Sequence, residues 1–427
     1  MTLIKEELLH YVWRTKQFDV KALQTTTGLP VEIINFGQHN TDAGPDFLNA
    51  RIRIGDTDWA GSIEMHIYSS DWRKHKHHSD AAYRNVILHV VWQDDEPVHH
   101  QAQQQPIPCV VLQSRITKHI ITAYQTLLDA TLWIPCQSLF AQVSELTKRT
   151  WLERMLVERL EQKTAIIETA LIQQVYHWEE VFYQFLARSL GANVNADAMQ
   201  AVAASLPQSI LAKHKDNLFQ IEALLFGQAN LLSEQYHDAY AQVLWREYKV
   251  LKQKYQLTPI SIAWKFMRMR PANFPTIRLA QLAMLIHQSS HLFSKILAVT
   301  DSKTLQELFS AEASEYWQTH YIFDEPSAVR KKQIGTTAVT ILLINTVAPF
   351  LFLYGASKQS EELRARAIDL LSVLPPEKNS VIEQWRELGM GIDNSGQSQA
   401  LLHLKKNYCD MRRCLQCAIG NRILKHM

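Results

Sequence analysis

Glycine and proline are scarce in this chain. Its 427 residues include only 13 glycines and 14 prolines, about half of the usual share. Few turns therefore interrupt the chain, so long helices are expected and an all-β architecture is disfavoured. At roughly 150 residues per domain, the length predicts two or three domains.

The chain also lacks a large net charge, and it has few cysteines. The 44 basic and 42 acidic residues leave a formal net charge of +2, so no global charge indicates a nucleic-acid partner. Five cysteines are too few for a disulfide-stapled secreted fold. The charges at Lys5, Glu6 and Glu7 fall where a signal peptide needs apolar residues, which predicts a cytoplasmic location.

One long run, residues 333–357, has no charged residue and is flanked by Lys332 and Lys358. Its length would allow a transmembrane helix. Polar residues and Pro349 interrupt the run, which favours a buried core helix instead. We therefore expect no membrane span.

Turn residues are concentrated near the N-terminus, where five glycines fall between Gly28 and Gly61. In this N-terminal part, turn residues separate short runs rich in β-branched and aromatic residues. These candidate strands are residues 31–36, 47–54, 59–68 and 86–92. With a helical pattern at 4–18 and a short helix at 79–84, the order is α-β-β-β-α-β. This order predicts a small mixed-sheet α/β domain over residues 1–112.

Beyond a connector at residues 101–108, the sequence becomes helical. Leu152, Met155, Leu156 and Leu160 repeat at the spacing of an amphipathic helix. The pattern predicts a large all-α domain over residues 113–400, followed by a cysteine-containing helical segment at 401–427. The expected fold class is α+β.

The densest polar stretches are residues 40–46 and 61–66. Because side chains alternate along a strand, Glu64 and His66 should share one face of the third strand. If the second strand pairs with the third, Asp46 approaches Glu64. Two converging carboxylates are suited to Mg²⁺ or Mn²⁺, so Asp46 and Glu64 are predicted metal ligands with His66 beside them.

This arrangement resembles the PD-(D/E)xK nuclease superfamily, whose restriction-endonuclease-like core has the same element order. Pro45-Asp46 and Glu64-Met65-His66 match its signature, except that histidine stands where lysine is usual. The resemblance implies metal-dependent phosphodiester hydrolysis with Asp46, Glu64 and His66 as catalytic residues.

Three further residues are accessory candidates in that interpretation: Glu6, Asp42 and His89. A second interpretation remains open. Asp46 would then cap a turn, Glu64 would be a surface residue, and His66 would merely pair with it. In that case the protein is a non-catalytic interaction or scaffold protein that binds a protein partner.

Eight of the 18 histidines lie between His39 and His100, three of them within residues 71–80. Histidine suits Zn²⁺ or Mn²⁺ better than Mg²⁺, so a zinc hydrolase that uses His75 and His77 is a third interpretation. Two other groups are candidates for binding a nucleic-acid backbone: Arg73, Lys74 and Lys76, and, in the helical part, Arg268, Arg270 and Arg278. The alternatives are a solvated loop for the first group and structural arginines for the second.

Three cysteines lie close together near the C-terminus, as Cys409-x4-Cys414-x2-Cys417. With Cys136 or Cys109 as a fourth ligand, they could hold zinc or a [4Fe–4S] cluster. One upstream cysteine and three C-terminal ones resemble the iron–sulfur nucleases of the recombination-helicase type. Reduced, buried thiols on a helix are the alternative.

Taken whole, the chain resembles a bacterial family of proteins of unknown function, the domain-of-unknown-function family numbered 2851. The segments that carry the likeness are residues 40–47, 59–66, 71–72, 86–91, 270–280 and 409–420. This resemblance implies no activity, so function has to be inferred from the site.

Overall fold

The computed structural model describes residues 4–99, 106–289 and 291–426. His100 and most of the connector expected at residues 101–108 lie outside these ranges. The chain forms two compact units. We call Met1–Leu152 with Leu404–Met427 the sheet unit, and Glu153–His403 the helical unit. The sequence placed its boundaries after residues 112 and 400 instead.

The sheet unit is built on a mixed β-sheet with the strand order β1-β3-β4-β5-β6, in which β2 also pairs with β3. Strands β1, β3 and β4 are antiparallel neighbours, whereas β4, β5 and β6 run parallel. The strands are β1 (Val31–Asn35), β2 (Gln38–His39), β3 (Phe47–Ile54), β4 (Thr57–Tyr68), β5 (Val86–Gln93) and β6 (Cys109–Val111). This sheet and the long helical region that follows confirm the α+β class.

Helix α1 (Glu6–Arg14) packs onto this sheet. Acidic residues in its first turn and Arg14 in its last turn complement the helix dipole. Leu8, Leu9 and Val12 are fully buried, and the Trp13 indole donates a hydrogen bond to the Phe36 carbonyl at 2.9 Å. These contacts fix the helix that carries His10.

The segment between β4 and β5 differs from the single helix expected at residues 79–84. It contains a one-turn helix α2 (Asp71–Lys74) and two 3₁₀ turns, His77–Ser79 and Ala81–Tyr83. Lys76 has a φ of 63°, in the left-handed region, which ends helical winding after α2. Asp80 is extended and caps the second turn by accepting from the Ala82 N–H at 2.9 Å.

The rest of the described chain is mostly helical, with one short hairpin of β7 (His320–Ile322) and β8 (Glu325–Pro326). The helices are α3 (Lys118–Asp129), α4 (Glu145–Gln173), α5 (Trp178–Leu190), α6 (Ala192–Ser205), α7 (Gln208–Leu211), α8 (Leu218–Gln228), α9 (Ala239–Tyr255), α10 (Pro275–Gln288), α11 (Leu292–Ala298), α12 (Ser302–Glu307), α13 (Glu315–Gln318), α14 (Thr336–Leu342), α15 (Ala348–Ser357), α16 (Glu361–Val373), α17 (Ser380–Glu387), α18 (Ser395–Leu404) and α19 (Ala418–His426).

The apolar run at 333–357 forms α14, a π-helical turn and α15. This stretch is long and apolar enough to cross a bilayer, but 61% of its most apolar window is buried inside the protein, which favours a core helix. Two of its polar residues bond neighbouring helices: Lys163 donates to the Asn345 side chain at 2.7 Å, and Ser189 shares a hydrogen bond with Thr346. Pro349 has no N–H to donate, and the π turn precedes it.

A tight contact in the helical unit gives a stability prediction. A Cβ on Gly227 would lie 2.1 Å from a ring atom of Tyr248, and this tyrosine is fully buried. Gly227→Ala is therefore expected to lower the free energy of unfolding by about 2–3 kcal/mol. Gly391→Ala is the matched control in the same unit, because a Cβ there meets no atom within 4 Å. Urea unfolding followed by far-UV circular dichroism measures both, and equal midpoints would contradict the prediction.

Candidate metal centre

Asp46 is held at the start of β3 by the polar turn that precedes it. The Asn40 side chain donates to the Pro45 carbonyl at 3.0 Å, and the Asn40 N–H donates to the Asp46 carbonyl at 2.8 Å. Gly44 has a φ of 111°, a conformation that glycine adopts without strain. The stretch that the sequence singled out is thus a closed turn that places Asp46.

Glu64 and His66 lie on β4, which pairs antiparallel with β3. Both are buried, with relative exposures of 4% and 1%. One Glu64 carboxylate oxygen, Oε2, accepts from the Asp46 N–H at 3.2 Å, and the Met65 N–H donates to Asp46 Oδ2 at 2.9 Å. Backbone hydrogen bonds therefore join the two acidic residues across the strand pair, as the sequence predicted from strand pairing.

The segment after β4 brings two more histidines to the same place. Its start is fixed because Asp95 accepts hydrogen bonds from Ser69 and Ser70, and Trp72 is fully buried. The left-handed Lys76 then turns the chain between His75 and His77. Both imidazoles thereby point back at β4.

Three imidazole nitrogens lie there within 4.8 Å of one another, and a Glu64 carboxylate oxygen adjoins two of them. Glu64 Oε1 lies 3.2 Å from His77 Nε2 and 3.6 Å from His66 Nε2. His66 Nε2 lies 3.2 Å from His75 Nδ1. Ligands about 2.0–2.1 Å from a tetrahedral metal ion stand about 3.4 Å apart, so the three distances recorded here match those between neighbouring ligands of one ion. His66 is buried, His77 is partly exposed and His75 is exposed. One side of the group is therefore open to solvent.

The second nitrogen of the His66 ring is also engaged. His66 Nδ1 lies 2.8 Å from His89 Nε2, and His89 stands beside Glu64 in the parallel β4–β5 register. Metal-ligating histidines commonly use their other ring nitrogen in such a bond, which fixes the tautomer and the ring orientation. His89, predicted as an accessory residue, therefore orients His66.

Electrostatics show what the buried group is suited to hold. Burial, with the nearby Asp46 charge, raises the pKa of Glu64 to about 9. Burial, with the neighbouring histidines, lowers the pKa of His66 to about 2 and, with His77, that of His89 to about 3. Neutral imidazoles are the form that binds a metal ion, and a bound cation would favour the ionised form of Glu64.

His10 lies next to this group on α1. Its Nε2 is 3.2 Å from Asp46 Oδ2. Burial lowers the pKa of His10, but the nearby carboxylates, Asp46 foremost, outweigh burial and raise it overall. Glu6, one α-helical turn earlier, interacts electrostatically with His75 and Asp46, and burial raises its pKa. The sequence named Glu6 as an accessory residue but had no signal for His10.

The other predicted residues lie apart from this group or serve local contacts. Asp42 is exposed in the polar turn, where its N–H bonds Asn40. Lys74 pairs with Asp71 at 2.7 Å and Arg73 with Glu96 at 3.5 Å. Lys76 forms no ion pair within the described ranges.

The three candidate arginines of the helical part belong to the helical unit. Arg278 donates to Asn273 at 2.6 Å and to Gln281 at 2.9 Å, so it ties the loop before α10 to that helix. Arg268 and Arg270 are exposed. The candidate cysteines Cys136, Cys409, Cys414 and Cys417 are all free thiols in the sheet unit.

Comparison with known proteins identifies the chain at the level of a family. The model of the family described as "Protein of unknown function (DUF2851)" matches residues 6–380. No curated protein and no solved structure matches the chain. The matched range includes the polar turn, β4 and the histidine segment, and the chain therefore belongs to the DUF2851 family.

Proposed function

We propose that the sheet unit binds a divalent metal ion through Glu64, His66, His75 and His77, and that it hydrolyses phosphodiester bonds. The observation that carries the proposal is the group of three imidazole nitrogens within 4.8 Å of one another, with the Glu64 carboxylate oxygen 3.2 Å from His77 and 3.6 Å from His66. This donor set suits Zn²⁺ or Mn²⁺ better than Mg²⁺. It differs from the two-carboxylate site suggested by the sequence, because His66 acts as a ligand here.

The surrounding side chains supply the rest of the chemistry. A divalent ion bound there would lower the pKa of a water molecule and neutralise charge on a phosphate oxygen. The Asp46 carboxylate favours the protonated form of His10, whose Nε2 lies 3.2 Å from Asp46 Oδ2, so an imidazole able to exchange a proton stands at the edge of the group. His89 keeps the His66 ring in one orientation, and Glu6 adds a carboxyl group near the exposed side.

A phosphodiester is the favoured substrate class for two reasons. The pairing of β3 and β4 brings Asp46 next to the Glu64-Met65-His66 triplet, as the nuclease resemblance implies, although in this proposal Asp46 pairs with His10 and histidines complete the ligand set. The segment that supplies two of the proposed ligands also carries exposed Arg73, Lys74 and Lys76, which suits a polyanionic substrate such as nucleic acid. The free thiols fit a reducing cytoplasm.

Cleavage assays with metal-free protein test the proposal. Single- and double-stranded DNA, RNA and bis(p-nitrophenyl) phosphate would be offered with Zn²⁺, Mn²⁺ or Mg²⁺. We expect hydrolysis with Zn²⁺ or Mn²⁺, and at least a roughly 100-fold loss in Glu64→Gln, because a metal ligand and its charge are removed. Glu32→Gln, at an exposed position of β1, is the matched control and should keep full activity.

Three outcomes would count against the proposal. Equal cleavage by the wild type and Glu64→Gln would indicate a contaminating enzyme. Metal binding without cleavage of any phosphodiester would favour the non-catalytic interaction protein. Full activity without any divalent ion would remove the role assigned to Glu64 and the histidines.

A further inference from the structure

Four of the five cysteines form a second group in the sheet unit. They are far in sequence from the residues of the histidine group. Cys136 precedes a 3₁₀ turn, Cys409 ends a π-helical turn, Cys414 begins another 3₁₀ turn, and Cys417 directly precedes α19. The three C-terminal cysteines therefore lie at turn boundaries and not along one helix.

Independent contacts bring the two cysteine-bearing stretches side by side. The Arg412 guanidinium donates to the Ala130 carbonyl at 2.9 Å. The Lys405 ammonium lies 5.1 Å from the centroid of the Trp133 ring. The Tyr408 and Trp151 rings meet edge to face at 5.5 Å. The chain before and after Cys136 is thus packed around the turn that carries the other three cysteines.

The four sulfur atoms lie close enough to one another to interact electrostatically, and they are largely buried. Cys136, Cys414 and Cys417 are 7–9% exposed. Burial and then the neighbouring sulfurs raise the pKa of Cys409 well above its ordinary value, and those of Cys136 and Cys414 to about 12. Each of the four sulfurs interacts electrostatically with the other three. Burial keeps these thiols neutral, and a bound cationic centre would favour their thiolate form instead.

Donors and positive charges around the sulfurs suit thiolates. Burial raises the pKa of Cys417 to about 11, but backbone hydrogen bonds from Gly420 and Ile419 act in the opposite direction. Lys405 and Arg412 lower the pKa values of Cys409 and Cys414 against the larger effect of burial. The backbone at residue 420 packs directly against the Cys414 carbonyl oxygen. Only glycine fits there, because a Cβ on Gly420 would lie 2.2 Å from that oxygen.

The spacing of the sulfurs distinguishes between the two metal centres that four cysteines commonly hold. A single zinc ion binds each sulfur at about 2.3 Å, which puts the sulfurs about 3.8 Å apart. Over the described ranges, only His66, His75 and His77 offer three ligand atoms within 4.8 Å of one another, so no three of the sulfurs are that close. In a [4Fe–4S] cluster each thiolate binds a different iron, and the sulfurs stand further apart.

We propose that Cys136, Cys409, Cys414 and Cys417 bind a [4Fe–4S] cluster that joins residues 130–152 to the C-terminal segment of the sheet unit. All four irons then have a protein ligand, which suits a stabilising or electron-transfer centre. The proposal stands independently of the hydrolytic function, because it uses none of the residues of the histidine group.

The test starts from full-length protein purified without oxygen, with iron and acid-labile sulfide measured per chain. We expect about four irons and four sulfides per chain, with a broad absorption band at about 400 nm that dithionite bleaches. Serine substitutions of Cys136, Cys409, Cys414 and Cys417, made one at a time, should each reduce the iron content and the band. Cys109→Ser is the matched control, because Cys109 is a buried cysteine on β6 outside the group, and it should keep both.

The wild-type protein keeps the test decisive even if a variant fails to fold. One zinc per chain without iron, or no metal after anaerobic reconstitution with iron and sulfide, would overturn the proposal. Two irons and two sulfides per chain would replace the cluster with a [2Fe–2S] centre. An unchanged cluster in Cys136→Ser would remove Cys136 as the fourth ligand.

Discussion

His77→Ala is expected to weaken Zn²⁺ or Mn²⁺ binding by the metal-free protein at least about 100-fold. Loss of a residue that only orients a ligand already costs 10–100-fold in affinity, and His77 is a proposed ligand that faces Glu64 Oε1 at 3.2 Å. Its ring also stacks on Tyr83 with centroids 3.8 Å apart, which holds the imidazole in place. Titration calorimetry against each ion, with a chelator as competitor, measures the change.

His78→Ala is the matched control for this variant. His78 is the next residue, is exposed and offers no atom to the group, so its removal should leave metal affinity unchanged. His89→Gln should fall between the two, because it removes only the partner of His66 Nδ1. Equal affinity of the His77 and His78 variants would contradict the proposed ligand set, as would zinc that depends on Cys414 and Cys417 instead.

The strands were predictable because their signals are local. The runs at 47–54 and 86–92 reappear as β3 and β5 with almost the same bounds, since β-branched residues between turn residues specify a strand without help from distant parts of the chain. The short helix expected at 79–84 is present only as the 3₁₀ turn Ala81–Tyr83. The chain before it contains the left-handed Lys76, and no glycine or asparagine at that position signalled the break in the helix.

The candidate site was only partly predictable from the sequence, because some of its residues are positioned by long-range contacts. Two-residue periodicity placed Glu64 and His66 on one strand face, and the polar turn located Asp46. His75 and His77 point back at β4 because Asp95, which lies beyond β5, anchors the start of their segment. Such a long-range contact produces no recognisable residue spacing in the sequence. Likewise the sequence offered both Cys109 and Cys136 as a fourth thiol, and the contacts of Ala130 and Trp133 with the C-terminal turn are the reason for proposing Cys136.

Without metal, Glu64→Gln is expected to be more stable than the wild type, by an amount that grows as the pH rises, although the substitution removes a proposed metal ligand. Burial raises the pKa of Glu64 from 4.5 to about 9, so between those values the unfolded chain has released a proton that the folded chain retains. Stability therefore falls with rising pH by about 1.4 kcal/mol per pH unit in this window. At pH 7 the loss is of the order of 3 kcal/mol, and it vanishes below about pH 4.5. Glutamine has no proton to lose and avoids this cost.

Urea unfolding of both proteins in chelator, from pH 4.5 to pH 8, isolates this effect, because every other titrating group is common to the two chains. The difference in unfolding free energy should grow with pH in favour of Glu64→Gln, while Glu32→Gln should follow the wild type. Adding Zn²⁺ or Mn²⁺ at about 100 times the dissociation constant should stabilise the wild type by about 2.7 kcal/mol and leave Glu64→Gln nearly unchanged. The advantage of the variant then shrinks or reverses on metal addition. A Glu64 with only a structural role would make the variant less stable at every pH, with metal and without it.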